Sequence, residues 1–195
     1  MRRHTPEHRR GLSRRAVLGA AMMFAAAPAM AADHPSIAYM KQFAKEMLNA
    51  HRQGTVGSFR KVIERHADVA AIADYSLGQY RKKLPAGQKQ RYYGGVVTFM
   101  SRYFADQSRI YPIAKYEIGD AAADDGEVVI NSKVYLLSGQ SYTVVWRLSK
   151  NGSRYKVRDA KVLGFSMVYM QRGLFTSFIS KRNGDVEQLV AALTR

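Results

Sequence analysis

The sequence predicts an α+β fold in which N-terminal helices pack on a curved antiparallel sheet of about four strands, with further helices at the C-terminus. Three observations lead to it. Apolar residues recur at helical spacing between Ile37 and Asp106, the period changes to two after Pro112, and helical spacing returns after Gly164. This order, helices then strands then helices, is typical of one α+β domain.

Four helices are predicted in the N-terminal half, over residues 37–54, 58–66, 69–77 and 88–106. Asp68 is a candidate N-cap for the third, and the turn residues of KKLPAG end it. The fourth helix has an unusually broad apolar face, which favours packing on a sheet. It also contains Gly94 and Gly95, each costing about 1 kcal/mol relative to alanine, so a backbone or a ligand is expected to approach closely there, and tight packing on the sheet is the favoured cause.

Four strands are predicted over residues 113–119, 127–137, 141–149 and 155–162. Asp120, Asp124 and Asp125 are interpreted as a loop between the first two. A hairpin turn is expected at Lys150-Asn151-Gly152. The alternation slips near Arg158-Asp159, which predicts a β-bulge. Two short helices separated by Asn183-Gly184 close the chain.

The first 31 residues are predicted to be a secretory signal peptide cleaved near Ala31. A basic start, a short apolar run and an Ala-x-Ala site carry this prediction. The arginine pair Arg14-Arg15 is also found in twin-arginine signals, and the export route, Sec or twin-arginine, stays open. Residues 32–195 are then a single domain, expected in the periplasm.

The composition narrows the possible chemistry. The chain has a formal net charge of +16 and no cysteine. Disulfides and thiolate sites are therefore excluded, and the charge suggests an anionic partner. For an exported protein, lipid head groups are favoured over nucleic acid, and a merely solvated basic surface is the alternative. We see no metal-ligand or cofactor pattern and no catalytic constellation, so no enzyme is expected; a hydrolase acting through Ser166 is the weakest hypothesis.

A C-terminal stretch carries a family resemblance. It reads VRDAKVLGFSMVYMQRGLFTSFISKRNGDVEQLVAAL and resembles the C-terminal signature of the MlaC family, also called the toluene-tolerance or ABC transporter auxiliary component family. The matching positions are Asp159, Gly164, Ser166, Val168, Arg172, Phe175, Leu189 and Leu193. The segment IADYSLGQYRKKLPAGQKQRYYGGVVTFMSRYFA resembles a second family region. Met167, Gln171 and Arg81 depart from the family pattern.

The resemblance implies a periplasmic phospholipid-binding carrier. Lipid would be carried between an inner-membrane ABC transporter complex, with its substrate-binding subunit, and an outer-membrane lipoprotein complex. The bound lipid would be cargo, with no cofactor and no chemistry, and the carrier is expected to be a monomer. The C-terminal helices would close an apolar pocket, whose predicted lining is Tyr75, Val96, Phe99, Tyr103, Val128, Ile130, Val134, Tyr142, Val144, Trp146, Val157, Phe165, Met167, Met170 and Phe175.

Two residues have open roles. Arg172 could pair with a lipid phosphate or with Asp159, and the structural ion pair is the favoured interpretation because a buried charge needs a partner. Two alternatives to the phospholipid carrier remain. One is a carrier of hopanoid or another polycyclic lipid within the same family. The other is a non-lipid interaction module whose aromatic residues form a closed core.

Overall fold

A computed structural model describes residues 35–152 and 154–195. The predicted signal peptide, residues 1–31, lies outside the described residues, and its cleavage stays a prediction. No helix of the described part of the chain is long and apolar enough to cross a membrane.

The N-terminal half is helical, as predicted. It contains α1 (Pro35–Gln53), α2 (Val56–His66), α3 (Val69–Ser76) and α4 (Lys89–Ile110), with two short 3₁₀ segments, Gly78–Lys83 and Ala86–Gln88, before α4. The predicted cap at Asp68 is confirmed, because its Oδ1 accepts the N–H of Ala71 at 3.2 Å. Thr55 caps α2 in the same way, accepting the N–H of Ser58 at 3.1 Å.

The sheet is an antiparallel meander in the order β1-β2-β3-β4-β5. Its strands are β1 (Ile113–Asp124), β2 (Glu127–Leu136), β3 (Ser141–Asn151), β4 (Arg154–Val162) and the two-residue β5 (Phe165–Ser166). The predicted bulge is present, since Arg147 pairs with Asp159 and Leu148 with Val157, which leaves Arg158 as the extra residue. Two further register shifts interrupt β1. Bulges bend the strands that contain them, so they account for the curvature.

The acidic loop prediction is wrong for two of its three residues. Asp120 and Asp124 lie within β1, and the turn is confined to Asp125-Gly126, both with positive φ. Ala121, Ala122 and Ala123 pair with β2 in this part of β1. Three successive small residues carry no alternation of polarity, so the sequence does not mark this segment as a strand.

The C-terminus adds α5 (Met167–Ser180) and α6 (Val186–Leu193), confirming the two predicted helices. These helices join α3 and α4 in a group that we call the filled cluster. Its buried residues are Ile72, Ala73, Leu77, Tyr92, Val96, Phe175, Ile179, Val186, Leu189, Val190 and Leu193. A second buried group lies between α1, α2, α4 and the sheet.

The glycines of α4 correct one expectation. A Cβ built on Gly95 would lie 2.7 Å from the Cβ of Leu193 in α6, whereas one on Gly94 would meet nothing within 4 Å. The close approach therefore exists at Gly95 only, and it is between two helices. Helix α4 packs chiefly on α2, α3 and α6 rather than on the sheet.

Candidate functional site

A large cavity lies between the helices and the concave face of the sheet. Its volume is about 940 Å³. The wall consists of α1, Phe59 of α2, the C-terminal half of α4, strands β1 to β5 and the start of α5. Its lining residues are Phe43, Ala44, Met47, Leu48, His51, Phe59, Tyr103, Phe104, Gln107, Tyr111, Ile113, Tyr116, Ile118, Ser132, Val134, Leu136, Gln140, Ser141, Tyr142, Val144, Trp146, Ala160, Val162, Leu163, Phe165, Met167 and Met170.

The hollow follows from how the helices meet the sheet. They pack mainly on its outer strands, with α1 on β1 and with α2, α3 and α5 on β4. The parts of the central strands β2 and β3 nearer the β2–β3 turn consequently face the cavity, and their inward side chains line it.

Strand register places those side chains on one face. Ser132 pairs with Val144 and Val134 with Tyr142 across β2 and β3. Because side chains alternate along a strand, these residues and Trp146 point to the same side. The indole N–H of Trp146 donates to Ser132 Oγ at 2.8 Å, and the indole meets the Phe43 ring edge-on, with centroids 5.1 Å apart. The tryptophan is thus held by both walls.

A smaller cavity of about 110 Å³ continues from the large one toward α3 and α5. The two share eight lining residues, Phe43, Met47, Tyr103, Phe104, Trp146, Ala160, Met167 and Met170. The smaller one also reaches Phe99, Ile72 and Leu174. Together they form a branched apolar space, which is not the closed core considered from the sequence.

The large cavity is electrically neutral. None of its lining residues is Asp, Glu, Lys or Arg. Burial lowers the pKa of His51 against the opposing effect of the Tyr111 carbonyl, and its Nε2 accepts the N–H of Ile113 at 3.1 Å, so the ring is neutral. Burial also raises the pKa of Tyr142. A charged group would find no compensating charge inside.

The cavity opens to solvent at one end. Leu163, Phe165, Met170 and Tyr111 line the wall and are nevertheless exposed. Leu163 and Gly164 form the two-residue turn between β4 and β5, with φ of 51° and 86°. A glycine is suited to that conformation, but a leucine there costs about 1–2 kcal/mol. The chain therefore turns out of β4 at Leu163 and Gly164.

Ten of the fifteen residues predicted to line a pocket do line one of these two cavities. They are Phe99, Tyr103, Val134, Tyr142, Val144, Trp146, Val157, Phe165, Met167 and Met170. Whether they contact lipid stays a prediction.

The other five lie elsewhere. Val128 and Ile130 sit closer to the β1–β2 turn and pack in the buried group beneath α1 and α2. Val96 and Phe175 belong to the filled cluster. Tyr75 is 43% exposed, and the guanidinium of Arg172 lies 4.9 Å from the centre of its ring. Apolar character alone does not distinguish such positions from a cavity wall.

The ion pair favoured between Arg172 and Asp159 is not formed. Asp159 Oδ1 accepts the backbone N–H of Ala160 at 2.8 Å and of Val168 at 3.1 Å, which fixes the start of α5. Arg172 stacks on Tyr75, and a Cβ on Gly78 would lie 3.0 Å from its Nε. Each charge therefore has its own structural contact. Asp159 lines the smaller cavity, whereas Arg172 lines neither of the two cavities.

Sequence reasoning missed the contribution of α1. Phe43, Ala44, Met47 and Leu48 all fall on the apolar stripe of the predicted helix 37–54, and His51 continues the wall beside them. Ala44, Leu48 and His51 form a second row beside Phe43 and Met47, so this face of the helix is broad. That broader face is the signal that could have indicated a cavity wall.

The serine considered as a nucleophile has a structural role. Ser166 Oγ accepts the N–H of Tyr169 at 3.0 Å as the N-cap of α5. Of the histidines in the described ranges, His51 bonds to Ile113, and His66 bonds to Glu46 and Tyr39. No group of three or more metal-binding side chains occurs within these ranges.

A meander sheet and a helical layer around a neutral apolar hollow define a class of small proteins suited to enclosing a hydrophobic molecule. The MlaC protein family model matches residues 37–195, and the chain belongs to that family. Its fold resembles the phospholipid-binding protein from Ralstonia solanacearum, solved in complex with a phospholipid, at a TM-score of 0.62 and 22% identity. The match covers 83% of this chain and 95% of that one. No curated protein matches the chain.

Proposed function

We propose that the protein is a periplasmic phospholipid carrier that moves lipid between membrane complexes without chemistry. The observation that carries the proposal is the neutral cavity of about 940 Å³ with an open end. Family membership supports it, as does the likeness of the fold to the Ralstonia solanacearum protein, which was solved in complex with a phospholipid.

The cavity meets the energetic requirement of a carrier. Removing an acyl chain from water is worth about 0.8 kcal/mol per methylene, so a phospholipid cannot cross an aqueous gap unaided. A cavity about as apolar as a bilayer brings the free energy of lipid transfer from the bilayer close to zero, so the transfer is reversible. Met47, Met167 and Met170 give the wall adaptable surface for chains of different shape.

The same wall indicates where the head group would lie. Without a cation or a carboxylate in the lining, a phosphate inside the large cavity would be unpaired and costly. The acyl chains would therefore occupy the interior while the phosphate stays at the open end in water.

Transport partners follow the family and belong to the proposal. We infer that the carrier receives and delivers lipid at an inner-membrane ABC transporter complex, through its substrate-binding subunit, and at an outer-membrane lipoprotein complex. The carrier itself would need no cofactor. Because no hydrolysis is expected, neither the parent chain nor Ser166→Ala should release a lipid hydrolysis product.

The test is mass spectrometry of the protein purified from the periplasm without detergent. We expect a copurifying molecule with two acyl chains and a phosphate, absent from a mock purification of the same extract. A fused-ring lipid would replace the phospholipid assignment with the polycyclic one. A chain purified from the periplasm with no lipid, and unable to take lipid from vesicles, would contradict the proposal.

A further inference from the structure

Exposed apolar side chains surround the open end of the cavity. We call them the apolar rim: Ile110, Tyr111, Leu137, Leu163, Phe165 and Met170. Leu163 is 70% exposed, Phe165 68% and Leu137 71%. Side chains of this size are normally buried, so such a group around one opening indicates a contact surface.

The rim is continuous although it comes from three parts of the chain. Tyr111, Leu163, Phe165 and Met170 line the same cavity. The N–H of Leu137 donates to the carbonyl of Pro112 at 2.9 Å, which ties the β2–β3 turn to the chain just after α4. The three segments therefore frame a single opening.

Leu163 is costly to the fold in its position. Its φ of 51° is unfavourable for a bulky residue, and the two-residue turn that it forms with Gly164 favours asparagine. Its side chain is largely exposed, so burial within the chain does not offset the strain. Contact of this side chain with an apolar surface outside the protein would offset it.

The charges near the rim are mainly positive. Residues 107–116, 128–146 and 160–170, which supply the rim and its surroundings, contain four basic residues, Arg109, Lys115, Lys133 and Lys161, and no Asp or Glu. The nearby carboxylate of Glu117 pairs with Lys115 at 2.7 Å, so cations remain in excess. Basic residues beside an apolar surface favour anionic lipid head groups.

The opposite end of the sheet differs in both respects. Near the β1–β2 turn, Glu127 accepts from Arg147 Nε at 2.7 Å and from Arg158 Nη1 at 3.1 Å, and Asp124 accepts from Arg147 Nη1 at 2.9 Å. Charges there are paired, and large apolar side chains are not exposed there. Of these two ends of the sheet, as described, the open end is the one that combines exposed apolar residues with an excess of cations.

We propose that the apolar rim docks directly on the surface of a lipid bilayer that contains anionic head groups. This inference rests on the proposed function in one respect, namely that lipid enters and leaves the cavity through this opening. Docking would place the opening against the head-group layer, so that an acyl chain could pass without crossing bulk water. Leu163 and Phe165 would enter the interfacial region, and Lys161 would lie among the phosphates.

Cosedimentation of the purified chain with vesicles tests this proposal. Vesicles of equal parts phosphatidylglycerol and phosphatidylethanolamine are expected to bind the protein, and phosphatidylcholine vesicles to bind it at least about fivefold more weakly. Leu163→Asn should weaken binding to the anionic vesicles about fivefold while raising the unfolding temperature. These opposite changes would not arise from a merely structural role of Leu163.

A matched pair of charge variants lies on one strand. Lys161→Gln, at the open end of β4, should weaken binding to the anionic vesicles about fivefold, whereas Arg154→Gln, at the other end, should leave it unchanged. Copurified lipid, measured on the same Lys161→Gln sample, should stay at the parent level, which separates docking from cargo binding.

The proposal is overturned if the anionic vesicles do not sediment the protein, or if Leu163→Asn and Lys161→Gln bind them as the parent does. Equal binding to both vesicle types would also overturn it. Retained cargo with absent vesicle binding would make the rim a surface for a protein partner and leave the carrier function intact. Loss of cargo from the parent chain would instead be a failure of the proposed function.

Discussion

The filled cluster and the hollow beside it are built from the same kinds of residue but packed in opposite ways. In the filled cluster the helices touch directly, with Gly95 against Leu193. Its polar groups are also paired, since the Tyr92 hydroxyl donates to the Ala73 carbonyl at 2.9 Å and Gln171 Nε2 donates to Ser76 Oγ at 2.8 Å. In the other half, the central strands face an empty volume of about 940 Å³.

This difference shows that backbone spacing, rather than residue type, separates stability from binding capacity. Helices α3 to α6 pack on one another, so each apolar side chain there has neighbours on all sides. Toward the β2–β3 turn, α1 and α4 are held away from β2 and β3, so the side chains there keep a free face. The filled cluster and the second buried group therefore supply the free energy of folding, while the space beside them is available to a ligand.

A matched pair of leucine truncations tests this division and has the largest expected effect. Leu189 is 2% exposed within the filled cluster, and Leu48 lines the large cavity. Leu189→Ala should cost about 3–4 kcal/mol, since it creates a void in a packed region. Leu48→Ala should cost less than about 1 kcal/mol, because its side chain already borders empty space. Urea denaturation of the delipidated protein measures both; equal losses would contradict the comparison.

The adjacent glycines of α4 provide a second pair with opposite expected signs. Gly95→Ala brings a methyl group against Leu193, so we expect a loss of about 1–3 kcal/mol. Gly94→Ala has open space around it and should gain about 1 kcal/mol from helix propensity. Thermal unfolding followed by circular dichroism compares them. A stabilising Gly95→Ala would mean that α4 and α6 are further apart than described.

The stability of the region around the large cavity should also be the more sensitive to mild acid, because His51 lines this cavity. Burial holds the pKa of His51 below its usual value near 6.5. The unfolded chain therefore binds more protons than the folded one, and the contribution of His51 to stability is present above about pH 6.5 and is lost as pH falls. Protonation would also remove the acceptor for the Ile113 N–H.

His51→Gln keeps an acceptor without a titration in this range. We expect the unfolding free energy of the parent to fall between pH 7.5 and pH 5.5, and that of His51→Gln to change less. Denaturation curves at several pH values measure the slopes. Parallel slopes would show that His51 does not titrate differently in the folded chain.

Much of the fold could be predicted because local chemistry determines it. Helical spacing, the Asp68 cap, the two strands around Ser138-Gly139-Gln140 and the slip at Arg158 each have a local physical cause visible in the sequence. The extension of β1 through Ala121–Ala123 could not be predicted, since small residues lack an alternating pattern. The contact of Gly95 with α6 joins segments far apart in the chain, so only its occurrence, and not its partner, was indicated.

The cavity is harder to predict than the fold. Ile130 and Val134 have the same character on the same strand, yet one is buried under helices and the other borders the hollow. Whether a residue of β2 is covered by helices or borders the cavity depends on where α1 and α2 end above the sheet. The partner of Arg172 was likewise set by tertiary placement, because Tyr75 from α3 lies beneath it.

Filling the hollow tests its role most directly. Ala160 lines both cavities beside Trp146, its partner across β3 and β4, whereas Ala123 on β1 is exposed. Native mass spectrometry of Ala160→Trp and the control Ala123→Trp, purified alike from the periplasm, measures bound lipid per chain. We expect Ala160→Trp to fold with at least parent stability and to lose lipid at least about tenfold, while Ala123→Trp stays loaded. A folded Ala160→Trp that carries lipid at the parent level would contradict the assignment of the cavity as the lipid site.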